Sequence, residues 1–284
     1  MEGRKGDRLT GDPGEHIIHL TGGVALPERS DSREVRFYLA SGFVIYFVWL
    51  FVFDSVGRTA AQLPSHDLTF SVDRSIPFVP EFVWIYLLGY IYPLLPLLAV
   101  KDWHRFNTSI LAVMLGNMVA YAAYFLLPVS FPVPATTAGL SAKVLGFHNG
   151  LDFHPGANKI PSFHVASVWI SYLACRRQWL RRWGDGAVFA GAALVTLSTL
   201  FVKKHLVLDV VAGVLLALAA WFAARWLYPA LSGRAEQPIE GFKRMIRRAG
   251  PALFAYLVVL FVFVGLRTGC VPPWFSRIVG LFKF

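Results

Sequence analysis

The stretch NKIPSFHVASVWISYLACRR, residues 158–177, has the pattern of a helix that crosses a membrane. An apolar run begins at Phe163, and two arginines follow its end. A polar side chain is costly in such a segment unless it has a partner or a function. Lys159, Ser162 and His164 stand at the start of this run, so we interpret them as candidate functional residues.

Similar apolar runs recur along the chain. Of its 284 residues, 56% are hydrophobic and 15% are charged, whereas an ordinary soluble domain carries about 25% charged residues. We therefore predict an all-α protein, a polytopic membrane helical bundle. The runs predict seven spans, at residues 37–53, 82–100, 110–127, 163–175, 187–202, 206–227 and 251–266.

The basic residues indicate the orientation of these spans. If the N-terminus lies in the cytoplasm, two thirds of the 27 lysines and arginines fall on the cytoplasmic side, as the positive-inside rule requires. Most of this bias comes from RRQWLRR (176–182) and KRMIRR (243–248). The polar N-terminal segment does not have the pattern of a cleavable signal peptide, so the first span would direct insertion. We predict a multi-pass protein, with the bacterial inner membrane as the favoured location.

This topology predicts four regions. They are a polar cytoplasmic tail (1–36), a six-helix catalytic core (37–228), a basic cytoplasmic loop (229–249) and a C-terminal region with a seventh transmembrane helix and a short tail (250–284). Long loops such as the one at 128–161 often cover a functional site.

The net charge of +10 fits a membrane protein whose loops meet anionic lipid. No basic patch lies on a soluble domain, so we exclude nucleic acid as a partner and expect membrane lipids. The two cysteines, Cys175 and Cys270, are predicted at opposite membrane faces and should not pair.

A second stretch, STLFVKKHLVLDVVAG (198–213), carries a matching set of polar residues. His205 and Asp209 are four residues apart and therefore share one face of the sixth span. The aspartate can accept a hydrogen bond from one imidazole nitrogen and leave the other free as a nucleophile. Lys203 and Lys204 add positive charge beside it.

The predicted topology brings both stretches to the same membrane face, because the fourth and sixth spans begin there. Helix N-termini offer amide groups and a favourable dipole to an anion. Two histidines, an aspartate, a serine and lysines at such termini indicate a phosphate site with acid–base capability, on the periplasmic or lumenal side.

The segments PSFHVA (161–166) and KKHLVLD (203–209) resemble two signatures of the type 2 phosphatidic acid phosphatase superfamily. The likeness is greater to its inositol phosphorylceramide synthase-like branch. DRSIPFVPEFVWIY (73–86) and YFLLPVSFPVP (124–134) also resemble that branch. The resemblance covers residues 73–213 and implies a six-helix phosphatase-type core.

The resemblance implies a role for each matching residue. His205 would attack phosphorus and form a phosphohistidine, and Asp209 would orient it. His164 would protonate the leaving oxygen and then activate the acceptor. Ser162 and backbone amides would hold phosphate oxygens, and Ser198 is retained from the third signature of the family.

The sequence departs from the family in its cations. The first family signature, Lys-x6-Arg-Pro, is absent, and Thr199 stands where the third signature has arginine. We predict that Lys203, with Lys204 or Lys159, replaces the lost positive charge.

The resemblance implies an enzyme that uses no cofactor and no metal. It would move a phosphoryl or phosphoester group from a lipid phosphate to an alcohol headgroup or to water. A lipid phosphate phosphatase alone, acting on phosphatidate or a polyisoprenyl phosphate, is the first alternative.

Two other interpretations use the same residues. His205 and Asp209 could form a proton relay in a membrane transporter. The set of His164, His205 and Asp209 could also ligate a metal. A further cluster, His148, Asp152 and His154, is predicted to be turn and surface residues.

Overall fold

The computed structural model describes residues 32–132, 134, 138–151, 157–178 and 182–268. In these ranges the regular secondary structure is helical, and no β-strand forms. This confirms the predicted all-α polytopic bundle. The helices, in chain order, are α1 (Ser32–Ala60), α2 (Ser71–Ser75), α3 (Val83–Ile91), α4 (Leu95–Ala99), α5 (Trp103–Leu126), α6 (Leu140–Leu151), α7 (Phe163–Cys175), α8 (Arg182–Phe201), α9 (Val207–Ser232) and α10 (Pro238–Thr268).

Six helical segments of the described chain are long and apolar enough to cross a membrane, so this is a multi-pass membrane protein. They are α1, the segment Pro80–Ala99 that contains α3 and α4, α5, most of α8, α9 and most of α10. The remaining predicted span, α7, is apolar but has only 13 residues. Short 3₁₀ turns at Pro80–Phe82 and Tyr92–Leu94 accommodate the prolines of the second segment.

Helix α7 is short because its C-terminal end is capped early. The guanidinium of Arg105, on α5, donates hydrogen bonds to the main-chain oxygens of Leu173, Ala174 and Arg176, at 2.6, 2.6 and 3.0 Å. The last carbonyls of a helix have no hydrogen-bond donor within the helix. Here the partly buried Arg105 donates hydrogen bonds to several of them. Arg177 then takes a positive φ of 62°, which turns the chain away from the helix axis.

The centre of the bundle is formed by α5, α7 and α9. Phe163 and Ile170 of α7 pack near Gly116 of α5 and Ala220 of α9. Small residues let helix backbones approach closely in a membrane. The tightest approach is at Gly213, where a Cβ would lie 2.5 Å from the main-chain oxygen of Ser162. Glycine is therefore required there, and the starts of α7 and α9 lie side by side.

Two boundaries differ from those predicted. The segment 229–249, predicted as a basic loop, is mostly helical, because α9 continues to Ser232 and α10 begins at Pro238. Phe242 and Met245 are buried while Lys243 and Arg247 are exposed, so this amphipathic stretch is helical with its apolar side against the bundle. Helix α1 begins at Ser32, inside the predicted tail, whose residues 1–31 lie outside the described ranges.

The predicted loop 128–161 contains a helix, α6. The spacing of Ser141, Leu145 and His148 puts them on one face of α6, and Leu145 packs with Val83 and Tyr86 of α3. Trp84 Nε1 also donates a hydrogen bond to Ser141 Oγ at 3.1 Å. Helix α6 therefore covers the end of the bundle at which α7 and α9 begin.

We predict that this covered end faces the periplasm. Ser71 lies at the covered end and Glu236 lies between α9 and α10, and both are exposed. In a chain with Cys270 replaced by serine, Ser71→Cys should react with an impermeant maleimide added to intact cells, and Glu236→Cys should react only after lysis. The native Cys175 is buried and serves as the unlabelled background. Labelling of Glu236→Cys in intact cells would reverse the orientation.

Candidate active site

The centre of the site is a histidine–aspartate pair at the start of α9. His205 Nδ1 lies 3.3 Å from Asp209 Oδ2, and the same oxygen accepts a hydrogen bond from the main-chain nitrogen of Leu206 at 2.9 Å. Both side chains are buried, with 6% of His205 and none of Asp209 exposed. A carboxylate fixed by the helix start therefore orients the imidazole, as the four-residue spacing predicted.

The second histidine faces the first. His164, in the first turn of α7, has its ring centroid 5.9 Å from that of His205. Aromatic rings of three other side chains surround it, namely Phe53, Tyr86 and Tyr90. The two histidines are thus close enough for one phosphorus atom to lie between them.

The starts of α7 and α9 are joined by main-chain hydrogen bonding. The Ser162 nitrogen donates to the main-chain oxygen of Asp209 at 3.0 Å. Ser162 Oγ caps α7 by accepting from the Val165 nitrogen at 3.3 Å, and the side chain is fully buried. The predicted Ser162 therefore lies at the site and shapes it through its cap.

The three predicted lysines divide into two groups. Lys159 and Lys204 are buried, with 5% and 1% exposed. Their ammonium groups lie over the rings of Phe131 and Tyr86, at 5.5 and 6.0 Å. Lys203 is directed elsewhere, because its Nζ donates to the main-chain oxygens of Asp73 and Ile76, at 2.7 and 2.5 Å. Lys159 and Lys204 are therefore the stronger candidates for binding phosphate.

The surroundings of His205 favour its neutral form. Burial lowers the pKa of His205 below its usual value, and the positive charges of Lys159 and Lys204 lower it further. The bond to Asp209 acts in the opposite direction but does not cancel these effects on the pKa. A neutral imidazole at neutral pH is the form that can act as a nucleophile.

Ser198 and Thr199 form the base of the turn that carries His205. Ser198 is fully buried, and its Oγ donates to the main-chain oxygen of Val195 at 2.6 Å. The main-chain oxygen of Thr199 accepts from the nitrogens of Lys204 and His205, at 2.9 and 3.2 Å. Ser198 therefore supports the turn by local hydrogen bonding, while its predicted contact with phosphate stays a prediction.

Sequence reasoning missed Asp73. Its side chain is 5% exposed and accepts two main-chain hydrogen bonds, from Phe70 to Oδ2 at 2.9 Å and from Val207 to Oδ1 at 2.7 Å. One carboxylate thus begins α2 and also caps α9, 134 residues away. Only the first bond has a local sequence signal, the aspartate three residues after a helix boundary.

These caps change one expectation about the helix N-termini. The nitrogens of Leu206 and Val207 already donate to Asp209 and Asp73. Two of the amides at the start of α9 are therefore occupied by carboxylates. We therefore predict that the buried lysines and the start of α7, rather than these two amides, bind an anion.

A cavity of about 530 Å³ opens beside His205. Residues 67–78 form one wall and 200–206 another, and Phe131, Pro132 and Pro134 complete the lining. Charged side chains of both signs line it, including Asp67, Arg74 and Lys203. The cavity can admit a polar group next to His205.

The prediction for His148 was wrong. It was expected to be a turn or surface residue, but it is 9% exposed on the inner face of α6. Its Nε2 lies 2.9 Å from the hydroxyl of Tyr90. The loop pattern gave no signal for this helix, so its buried face could not be recognised. Asp152 and His154 lie outside the described residues.

No group of three His, Cys, Asp or Glu side chains in the described ranges is arranged to hold a metal ion.

The sequence profile of the PAP2 superfamily matches residues 75–223, just over half of the chain. This chain belongs to the PAP2 superfamily. The match contains His164, His205 and Asp209, the residues that the structure brings together. Membership supports a phosphatase-type enzyme that acts on phosphate esters. No curated protein and no solved structure matches the chain.

We predict that Asp73 holds the site together. Asp73→Ala should leave two buried amides without an acceptor and destabilise the fold by about 2 kcal/mol. It should also lower phosphatase activity, because the turn that carries His205 loses its attachment. The measurements are the thermal unfolding midpoint in detergent and the turnover of a lipid phosphate.

Asp67 provides the matched control for this variant. It lies on the same segment and accepts hydrogen bonds from the nitrogen and hydroxyl of Thr69. These bonds join residues two positions apart and do not connect the loop to another helix. Asp67→Ala should change the midpoint by much less. Equal effects of the two substitutions would refute the capping role of Asp73.

Proposed function

We propose that this enzyme transfers a phosphoryl or phosphoester group from a lipid phosphate, through a phosphohistidine on His205, to an alcohol headgroup or to water. One observation carries the proposal. A buried His205, bonded to Asp209, faces His164 at 5.9 Å between ring centroids. A nucleophile, its orienting carboxylate and a second acid–base group are thus assembled at one point.

The proposed first half of the reaction uses this geometry. His205 uses Nδ1 to bond Asp209, so Nε2 attacks phosphorus. The bond from phosphorus to the leaving oxygen breaks as the new phosphorus–nitrogen bond forms. His164 gives its proton to the leaving oxygen, and Asp209 balances the positive charge that develops on His205.

The second half reverses these roles. His164, now neutral, takes a proton from the acceptor hydroxyl. The acceptor oxygen then attacks phosphorus, and the phosphorus–nitrogen bond breaks. His205 returns to its neutral form and His164 returns to its protonated form, so each group is restored. Lys159 and Lys204 supply positive charge to the phosphate in both steps.

Two observations support a lipid substrate and a choice of acceptor. The site lies at one end of a bundle of membrane-spanning helices, within reach of a phosphate whose chains stay in the bilayer. The cavity beside His205 measures about 530 Å³, whereas one water occupies about 30 Å³ of the liquid. This space favours an alcohol headgroup as a second possible acceptor, beside water.

We expect a covalent intermediate on His205. With a phosphorus-labelled substrate that has a good leaving group, His164→Ala should accumulate label, because attack continues while release stalls. The label should be acid-labile and base-stable and should map to the peptide that contains His205. Asp209→Asn should form it more slowly in the wild-type His164 background.

His205→Ala is the decisive variant. It should carry no label and lose activity by several orders of magnitude, as when a nucleophile is removed. Substantial turnover by His205→Ala would contradict the proposal. A transporter with a histidine–aspartate proton relay predicts no label in any variant and unchanged phosphate release.

We also expect activity to survive removal of divalent metals. Lysines rather than metal ions would neutralise the phosphate, and the nucleophile is a histidine rather than a metal-bound hydroxide. Turnover should be unchanged by excess EDTA. Complete loss that zinc or magnesium restores would instead support the metal interpretation of His164, His205 and Asp209.

A further inference from the structure

A partly buried polar chain connects the covering helix α6 to His164. His148 Nε2 lies 2.9 Å from the Tyr90 hydroxyl, and the Tyr90 and Tyr86 hydroxyls are 3.5 Å apart. The Tyr86 hydroxyl is in turn 3.4 Å from His164 Nε2. Four polar groups from α6, α3 and α7 thus form one continuous path.

The rings of this chain also contact one another. Tyr90 packs edge-on against His164, with centroids 4.8 Å apart, and Tyr86 packs edge-on against His148 at 5.2 Å. Tyr86 is 1% exposed and His148 is 9% exposed. The His164 imidazole is therefore held on two sides by tyrosines whose own orientation depends on α6.

We propose that His148, Tyr90 and Tyr86 are positioning residues that hold His164 Nε2 and thereby aim the other ring nitrogen, Nδ1, at the leaving oxygen. The inference rests on the proposed function, in which His164 donates and then accepts a proton. A tyrosine hydroxyl can both donate and accept a hydrogen bond. Tyr86 can therefore partner His164 in both of its protonation states, which a residue limited to donating could not do.

The charges around this chain are compatible with that role. His205 faces His164 from the start of α9, and Lys204 lies over the ring of Tyr86. Lys159 and Asp209 both act on His205. The Tyr86 hydroxyl reaches His164 Nε2 from α3, so this contact orients the imidazole and leaves Nδ1 for proton transfer.

The test separates positioning for proton transfer from general support of the fold. A long-chain alkyl phosphate has a leaving oxygen that needs a proton, whereas nitrophenyl phosphate has one that does not. Tyr86→Phe should slow the first-turnover release of alkyl alcohol about tenfold, as expected for the loss of one hydrogen bond. It should change the first-turnover release of nitrophenol by less than about twofold.

His148 extends the test to the far end of the chain. His148→Leu should give the same selective loss as Tyr86→Phe. His148→Gln, which keeps a hydrogen-bonding group toward Tyr90, should restore most of the alkyl phosphate rate. Thermal midpoints in detergent establish that each variant is folded before its rates are compared.

Two matched controls remove bonds that lie beside the chain. Ser141→Ala removes a bond between α6 and α3 outside the chain. Tyr46→Phe removes a hydroxyl that bonds the main-chain oxygen of Tyr90 rather than its side chain. Both should leave the ratio of the two rates unchanged.

An equal loss on both substrates, or no loss on either, in Tyr86→Phe and His148→Leu would overturn the inference. Failure of the proposed function has a different signature, namely turnover that persists in His205→Ala. In that case the ratio of the first-turnover rates on the two substrates still decides the role of the tyrosines. This ratio reports on proton donation to the leaving oxygen, whatever group attacks phosphorus.

Discussion

The close approach of α7 and α9 at their first turns is the constraint on which the site depends. Gly213 has no Cβ, and this lets the main-chain oxygen of Ser162 come against α9. The Ser162 nitrogen then reaches the main-chain oxygen of Asp209 at 3.0 Å. His164 follows Ser162 by two residues and His205 precedes Asp209 by four, so this backbone contact sets the distance between the histidines. Any side chain at position 213 would separate the two halves of the site.

The periphery of the site is held by charged groups bonded to main-chain atoms. Asp73 joins the chain before α3 to the start of α9, and Lys203 returns from the turn to the main-chain oxygens of Asp73 and Ile76. At the other end of α7, Arg105 caps the helix in the same way. Such bonds satisfy backbone groups at helix ends, which have no partner within the helix itself. Polar residues that stabilise the fold therefore lie close to the polar residues of the candidate site.

The sequence was sufficient for the parts of the structure that local spacing controls. Apolar run length predicted the spans, and the interval between His205 and Asp209 predicted their pairing. It was insufficient where contacts join distant segments. Asp73 meets Val207 across 134 residues, and no local pattern indicates such a partner.

The same limit explains why His148 was misassigned and why the lysines could not be ranked. Helix α6 has no long apolar run, so its inner face is recognisable only once α3 is beside it. Lys203 and Lys204 are adjacent in sequence, yet one bonds main-chain oxygens and the other is buried over Tyr86. A positive φ of 54° at Lys203 turns the two side chains apart, and sequence does not reveal that angle.

The early end of α7 determines how far His164 lies from the two membrane interfaces. Its 13 residues rise about 20 Å, whereas the hydrocarbon core of a bilayer is about 30 Å thick. If Arg176 and Arg177 lie at one interface, His164 lies below the opposite interface instead of level with it. Under the proposed function, a lipid phosphate would then descend into a recess among the longer helices, and its alcohol would be released at acyl-chain level. The leaving lipid would return to the bilayer sideways, without crossing the water layer.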